Sequence, residues 1–323
     1  MRTVCFRYTF FDHKTKNMNV SVNFCGIDFP NPTVVPSGYL GVTGASLANC
    51  VKNGAGGVTG KTLFMEPRPG HPNPTVLTFQ GGLINAVGLC GEGIKNAKHE
   101  FENYRKLAPE NPIIGSVGGK DIKEFVEVAA MMDSYDVDMI ELNFSCPNVD
   151  SEMGRPLACD PLMTAKATKE VRKNVRKPIS VKLSPNVPDI GLVAKHAEME
   201  GANAITAVNT MGPGMLIDIK MKRPILANKV GGVSGYALKP IALKCVYDIY
   251  KAVDIPIIAT GGIVSGTDAI EMILAGGSLL GIGSAILYHD MKCFTMIVDK
   301  IREYMKEEGF TDISEMVGLA HEN

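Results

Sequence analysis

The sequence lacks any long apolar run. No stretch approaches the ~18 consecutive apolar residues that a membrane-spanning helix requires, and residues 1–17 contain no apolar central stretch like that of a signal peptide. The formal net charge is only −1, which gives no reason to expect a nucleic acid or an anionic membrane as a partner. We therefore expect a cytoplasmic protein that contacts neither nucleic acid nor membrane.

The cysteines also lack any ligand-like spacing. None of the 8 cysteines forms a C-x-x-C pair, and their spacing matches no zinc or iron–sulfur pattern. Several lie in apolar contexts, where a free cysteine behaves as a small hydrophobic residue. We therefore expect reduced thiols, no metal site, and no iron–sulfur centre carried by this chain itself.

Short apolar runs rich in β-branched residues alternate with longer amphipathic segments. They predict eight strands, at residues 33–36, 57–60, 113–117, 139–143, 179–183, 204–208, 257–260 and 279–283. Helical patterns lie between them, among others at residues 122–135, 161–175, 190–200, 239–252 and 266–275. Such alternation predicts parallel strands with right-handed crossovers. Eight units favour a closed barrel over an open doubly wound sheet.

The fold class predicted is therefore α/β, a (β/α)8 TIM barrel with loop insertions at its C-terminal face. Residues 19–29 predict a short β-hairpin that caps the bottom of the barrel. No repeat, low-complexity tract or linker divides the chain, so we expect one domain over residues 19–323. Residues 1–18 are expected to be a short extension, in which Met18 is an alternative start.

Polar residues and glycines follow the predicted strands, where the active site of a barrel forms. In chain order they are Ser37-Gly38, Lys61, Cys146, Lys182, Asn209-Thr210, Gly261-Gly262 and Gly283-Ser284. The glycines after the seventh and eighth strands let the backbone approach a phosphate closely, although tight βα turns alone would also explain them. The glycine-rich segment 231–235 could pass over a flat ring or be only a flexible loop.

A cysteine between two asparagines follows the fourth strand. The amides of Asn143 and Asn148 suit a planar polar substrate, and Cys146 could move a proton if its environment tunes its pKa. The alternative is an inert thiol in a turn. Lys182 ends the fifth strand and needs an anionic partner if buried. A reduced flavin would be one, and Lys61 occupies the equivalent place on the second strand. At either position a solvated or salt-bridged lysine is the alternative.

Together these motifs resemble the class 1 dihydroorotate dehydrogenases over residues 19 to about 314. The matching segments are 37–38, 60–62, 85–89, 143–148, 181–186, 208–210, 223–228, 231–235, 260–263 and 283–284. The resemblance implies an FMN-containing (β/α)8 oxidoreductase that oxidises (S)-dihydroorotate to orotate in de novo pyrimidine (UMP) biosynthesis. It further implies that a cysteine base removes the C5 proton while a hydride passes from C6 to flavin N5.

The resemblance also assigns site residues. Cys146 corresponds to the catalytic base, within a lid expected at residues 145–160. The substrate-binding residues implied are Lys61, Asn85, Ala86, Val87, Gly88, Leu89, Asn143, Asn148, Asn209 and Thr210. The FMN-binding residues implied are Ser37, Gly38, Lys61, Thr62, Ser116, Asn143, Lys182, Val208, Gly235, Gly261, Gly262, Gly283 and Ser284. Three departures from the family pattern are Pro36, Ser116 (where many relatives have Asn) and residues 90–93.

The segment 217–235 resembles that of class 1B, of archaeal type. That class pairs a homodimer of FMN subunits with a second subunit that carries FAD and a [2Fe–2S] cluster and passes electrons to NAD, forming a heterotetramer. The fumarate-linked class 1A homodimer is the alternative. Two other readings are a dihydropyrimidine dehydrogenase-like reduction of uracil or thymine, disfavoured by Asn148 where those enzymes have His, and a non-catalytic flavin-binding subunit.

Overall fold

The computed structural model describes residues 18–145 and 157–322. The strands in these ranges are β1 (Val22–Phe24), β2 (Ile27–Phe29), β3 (Thr33–Val35), β4 (Gly57–Thr59), β5 (Val76–Phe79), β6 (Gly82–Asn85), β7 (Ile113–Val117), β8 (Met139–Asn143), β9 (Ile179–Lys182), β10 (Ala204–Ala207), β11 (Met211–Gly214), β12 (Ile217–Asp218), β13 (Arg223–Pro224), β14 (Gly231–Ser234), β15 (Ile257–Thr260) and β16 (Gly277–Gly281). The helices are α1 (Gly44–Lys52), α2 (Ile94–Leu107), α3 (Ile122–Asp133), α4 (Pro161–Arg172), α5 (Ile190–Met199), α6 (Lys239–Ala252), α7 (Gly266–Leu274), α8 (Ala285–His289) and α9 (Cys293–Glu308).

Eight of these strands close into a parallel barrel, which confirms the predicted (β/α)8 fold. Around the barrel the order is β10-β15-β16-β3-β4-β7-β8-β9, and helices α1 to α7 each follow one of its first seven strands along the chain. The strand predicted at 279–283 begins and ends two residues earlier, as β16 (Gly277–Gly281). The reason is that Gly276, at φ +120, ends the turn after α7, so that Gly277 already pairs with Ile257. Several helices end one to three residues earlier than predicted, whereas α6 has the predicted bounds.

The predicted hairpin, β1–β2, covers the bottom of the barrel. Phe24 and Phe29 are buried and pack edge-on, with ring centroids 6.3 Å apart. They share one apolar cluster with the lower barrel residues Val34, Ile114, Met139, Ala204, Ile258 and Leu279. Glycine is needed at position 57, next to this cluster, because a Cβ on Gly57 would lie 2.5 Å from the Phe29 ring. The hairpin thus closes the lower end of the barrel with apolar side chains, whereas the predicted site residues follow the strands at the other end.

Loop insertions form a second, four-stranded antiparallel sheet with the order β11-β14-β6-β5. Its strands come from the segments that follow β4 and β10, so the insertions lie at the C-terminal ends of barrel strands, as predicted. The segment 231–235 is mostly the ordered strand β14, whose Gly232 pairs with Asn85 and whose Val233 pairs with Ile84. The flexible-loop reading is therefore wrong, because backbone pairing on both sides compensates for the missing side chains.

Across the two ranges described, no helix combines the length and the apolar character that crossing a membrane would demand.

Candidate active site

A chain of hydrogen-bonded polar side chains crosses the mouth of the barrel, with Thr62 at its centre. The Thr62 hydroxyl lies 2.8 Å from the Ser37 hydroxyl and 2.9 Å from the Ser116 hydroxyl, and it accepts a hydrogen bond from Asn143 Nδ2 at 3.1 Å. These four residues come from or directly follow the neighbouring strands β3, β4, β7 and β8. The parallel barrel thus gathers residues that are up to 106 positions apart in sequence (143 − 37).

Ser145 extends this chain to the end of β10. Its hydroxyl donates to Asn143 Oδ1 at 2.8 Å and accepts from Asn209 Nδ2 at 2.7 Å, and Asn209 Oδ1 accepts from the backbone N–H of Thr210 at 2.8 Å. Two predicted substrate-binding residues, Asn143 and Asn209, are therefore oriented by one serine that sequence reasoning had not singled out. The available indication was its position, two residues past a barrel strand and directly before Cys146. Cys146 and Asn148 lie outside the described residues, as does most of the segment predicted as a lid.

Lys182 has an anionic partner within the protein. Its Nζ lies 3.5 Å from Glu141 Oε1, and the side chains are only 4% and 2% exposed. Glu141 Oε1 also accepts a hydrogen bond from Ser116 Oγ at 3.0 Å. The sequence predicted an anion near Lys182 but not Glu141. The same argument that a buried charge needs a partner applies to a glutamate within an apolar strand, and it could have identified this pair.

The turn after β15 forms a cradle without side chains. Gly261 and Gly262 have φ of +127 and +73, and a Cβ on Gly262 would lie 2.6 Å from Lys239 Cα. Just before them, the buried hydroxyl of Thr260 has no hydrogen-bond partner among the residues that the structure describes. Gly283 and Ser284, after the adjacent strand β16, lead into α8. Close backbone approach and an unused donor fit an anionic group such as a phosphate.

An ion-pair cluster fixes the helix that follows this cradle. Lys239 Nζ lies 2.6 Å from Asp268 Oδ1 and 2.7 Å from Glu271 Oε2, and Asp268 forms a capping box with Ser265 at the start of α7. Burial alone would raise the pKa of Asp268, but hydrogen bonds from Lys239, Ser265 and the Val264 backbone outweigh it and leave the pKa below its usual value. Asp268 is therefore ionised at neutral pH and ties α6 to α7.

The predicted substrate loop 85–89 lies along the second sheet. Asn85 Nδ2 donates to Gly232 O at 3.4 Å, Val87 O accepts from the backbone N–H of His71 at 3.1 Å, and Ala86 is buried. Gly88 and Leu89 both have positive φ, +75 and +57. The loop is therefore held at its backbone, and among the described residues the Asn85 side-chain amide makes one long hydrogen bond, to Gly232 O.

The other predicted cofactor residues also follow barrel strands. Gly38, at φ +93, follows β3. The Lys61 backbone N–H donates to Gly41 O at 2.9 Å, and Val208 is buried with its N–H donating to Thr260 O at 2.7 Å. Gly235 has φ +85 and lies so close to the second sheet that a Cβ would fall 2.7 Å from Gly82 Cα.

Four cysteines of the described chain are unsuited to proton transfer. Burial raises the pKa of Cys25, Cys50, Cys245 and Cys293 to about 11, so these thiols stay neutral at physiological pH. Among residues 18–145 and 157–322, no three His, Cys, Asp or Glu side chains are grouped so that they could hold a metal ion.

Comparison with known proteins identifies the family. The family model described as Dihydroorotate dehydrogenase matches residues 19–305 of the chain. The chain belongs to the dihydroorotate dehydrogenase family. The match spans the barrel, the second sheet and every residue of the polar chain at the barrel mouth.

Several curated dihydroorotate dehydrogenases are similar over almost their whole length. The protein of Methanocaldococcus jannaschii is 44% identical over 94% of this chain and 98% of its own length. That of Methanothermobacter thermautotrophicus is 42% identical over 94% of this chain and 99% of its own. The protein of Pyrococcus horikoshii is 42% identical over 93% of this chain and 97% of its own length. All three bear the name dihydroorotate dehydrogenase B (NAD(+)), catalytic subunit, so the archaeal, class 1B-like resemblance is confirmed.

Proposed function

We propose that this chain is the FMN-containing catalytic subunit of an NAD-linked dihydroorotate dehydrogenase, which oxidises (S)-dihydroorotate to orotate in pyrimidine biosynthesis. The observation that carries the proposal is the polar chain from Ser37 to Asn209 at the open end of the barrel. It offers amide and hydroxyl groups to a planar polar substrate. The family membership and the name shared by the archaeal relatives support the reaction.

FMN is the cofactor that the arrangement fits. The glycine cradle suits its phosphate, as does the Thr260 hydroxyl, which has no partner within residues 18–145 and 157–322, and Lys182 provides a buried positive charge. When bound, FMN would accept the hydride that leaves C6 of the substrate. The residues proposed to hold it are Ser37, Gly38, Lys61, Thr62, Ser116, Asn143, Lys182, Val208, Gly235, Gly261, Gly262, Gly283 and Ser284.

The substrate is proposed to be held by amide groups and deprotonated by a thiol. Asn143 and Asn209 are already fixed on the two sides of Ser145, so binding would require little side-chain ordering. Cys146, the next residue along the chain, is the proposed base that removes the proton from C5. A thiol acts as a base only as the thiolate. The remaining proposed contacts are those of Lys61, residues 85–89, Asn148 and Thr210, and residues 145–160 are proposed to exclude water.

Partner chains are a further part of the proposal. The relatives' shared name describes a catalytic subunit of an NAD-linked enzyme. We therefore propose a homodimer that joins a second subunit carrying FAD and a [2Fe–2S] cluster. The hairpin β12–β13 supports a protein–protein contact, because Ile217, Ile219 and Met221 are 59%, 85% and 56% exposed there and clustered apolar exposure marks interaction surfaces. Copurification from native extract would test the second subunit.

The activity is tested by turnover with a dye as electron acceptor. The FMN-loaded protein is expected to convert dihydroorotate to orotate and to leave dihydrouracil unchanged. Turnover of dihydrouracil alone would favour the dihydropyrimidine dehydrogenase reading instead. A protein that binds no flavin would contradict the proposal altogether.

A further inference from the structure

A buried carboxylate lies behind the lysine of the cofactor site. Glu141 and Lys182 are on adjacent barrel strands, β8 and β9, and Glu141 lies two residues below Asn143, which pairs with Lys182. The Nζ–Oε1 distance is 3.5 Å, and the side chains are almost fully enclosed. The assigned roles of the site do not require Glu141.

Stability alone does not explain this ion pair. Taking both charges out of water costs about as much as their attraction returns, so a buried pair is weak support for a stabilising role. The position of the pair is more informative. Glu141 Oε1 faces Lys182 on one side and accepts from Ser116 Oγ at 3.0 Å on the other. Ser116 in turn lies 2.9 Å from Thr62, at the centre of the polar chain. The carboxylate is thus fixed relative to the barrel mouth.

The charge of Glu141 opposes the charge that Lys182 offers. A flavin gains negative charge on reduction, and a fixed cation nearby favours the reduced state. A carboxylate 3.5 Å behind that cation reduces its effect because the two potentials partly cancel. Both charges lie in a site with little water, where such interactions are weakly screened.

We propose that Glu141 is a positioning residue that holds Lys182 at the cofactor site and limits its positive potential, which lowers the reduction potential of bound FMN. The inference rests on the proposed function. It has a chemical purpose there, because a flavin that must pass its electrons on towards NAD needs a low potential. Ser116 supports this role by fixing Glu141 through its hydrogen bond to Oε1.

The test compares the reduction potential of FMN in the wild-type protein and in Glu141→Gln. The variant keeps the shape of the side chain but removes its charge. We expect the affinity for reduced relative to oxidised FMN to increase about tenfold in Glu141→Gln. For a two-electron couple, this corresponds to a rise of about 30 mV in the reduction potential of bound FMN. Glu198→Gln is the matched control, since Glu198 is paired with Lys195 at 2.6 Å on the outer helix α5. The control is expected to leave the potential unchanged.

An unchanged or lowered potential in Glu141→Gln would overturn the inference. If Glu141→Gln does not fold, Ser116→Ala provides the second measurement. Without the serine hydroxyl, the negative charge of Glu141 is less dispersed and cancels more of the Lys182 charge. The reduction potential of bound FMN is therefore expected to fall, with binding of oxidised relative to reduced FMN favoured about twofold to threefold more than in the wild type. A rise or no change in Ser116→Ala would contradict the role proposed for Glu141.

The outcomes separate this inference from the proposed function. A wild-type protein that binds no FMN, or binds FMN that dihydroorotate does not reduce, would refute the proposed function before any variant is measured. Normal reduction of the wild type together with an unshifted potential in Glu141→Gln would refute only the role of Glu141. Dissociation constants of oxidised FMN, measured on the apo proteins, give a readout that does not depend on turnover.

Discussion

The substitution Asp268→Asn tests whether the ion-pair cluster beside the phosphate cradle stabilises the fold. The Asp268 side chain is 6% exposed and its partner Lys239 is 23% exposed, with 2.6 Å between Nζ and Oδ1. Breaking a fully buried ion pair costs about 3–5 kcal/mol. Lys239 retains some water and also pairs with Glu271, so we expect a loss of about 2–3 kcal/mol in the free energy of unfolding.

A matched control isolates the effect of burial. Asp248→Asn removes the same charge from a Lys–Asp pair of similar length, 2.5 Å to Lys244, but its two side chains are 39% and 69% exposed. Exposed helix pairs contribute about 0.3–0.5 kcal/mol. Urea unfolding of both variants measures the difference. Equal losses in the two variants would refute the argument that burial makes the cluster important.

The pH dependence gives a second check on Asp268. Because its pKa is lowered in the folded protein, its contribution to stability is fully present above the unfolded pKa of about 3.9. The contribution is lost as the pH falls through the folded value. The stability difference between wild type and Asp268→Asn should therefore be constant from about pH 5 to 8 and shrink below about pH 4. A difference that persists undiminished below that range would contradict the assignment.

Three other substitutions probe the base, the cradle and the bottom of the barrel. Cys146→Ser should keep FMN but lose most turnover near neutral pH. Wild-type turnover should rise with pH as the thiol, which has an ordinary pKa of about 8.5, ionises. Full activity of the variant in steady-state assays would show that another group is the base. Gly262→Ala places a Cβ 2.6 Å from Lys239 Cα at a residue with φ +73, so the turn must shift. Fluorescence titration of the apo protein should therefore show FMN binding weakened about tenfold or more. Unchanged FMN binding would mean that the phosphate binds elsewhere. Phe29→Ala should lower the free energy of unfolding in urea by about 3–5 kcal/mol and leave FMN affinity unchanged, and a large loss of affinity would contradict the separation of the two barrel ends.

The barrel was predictable from sequence because each of its strands is a short apolar run bounded by a helix pattern. The position of the site was predictable for the same reason, since the rule that barrel sites follow the strands selected Ser37, Lys182 and Asn209. Asn143 was selected as a neighbour of Cys146, and Thr62 only through the family resemblance. The structure joins all five through hydrogen bonds or through Glu141. The resemblance then supplied an activity that no spacing rule alone could give.

The second sheet and the Glu141 ion pair were missed for a common reason: both depend on neighbours far apart in sequence. Strand β14 is glycine-rich and becomes a strand only because it pairs with β6, about 147 residues away. Glu141 meets Lys182 only through the register of β8 and β9. The role of Cys146 and the division into an extension over 1–18 and one domain over 19–323 stay predictions.

The central claim is that dihydroorotate reduces FMN held at the open end of this barrel. It is tested most directly by adding dihydroorotate without oxygen to the FMN-loaded protein and following the visible absorption of the flavin. We predict that the absorption bleaches in proportion to the added dihydroorotate, until all bound FMN is reduced, with orotate as the product. A flavin band that dihydroorotate leaves unchanged would contradict the account.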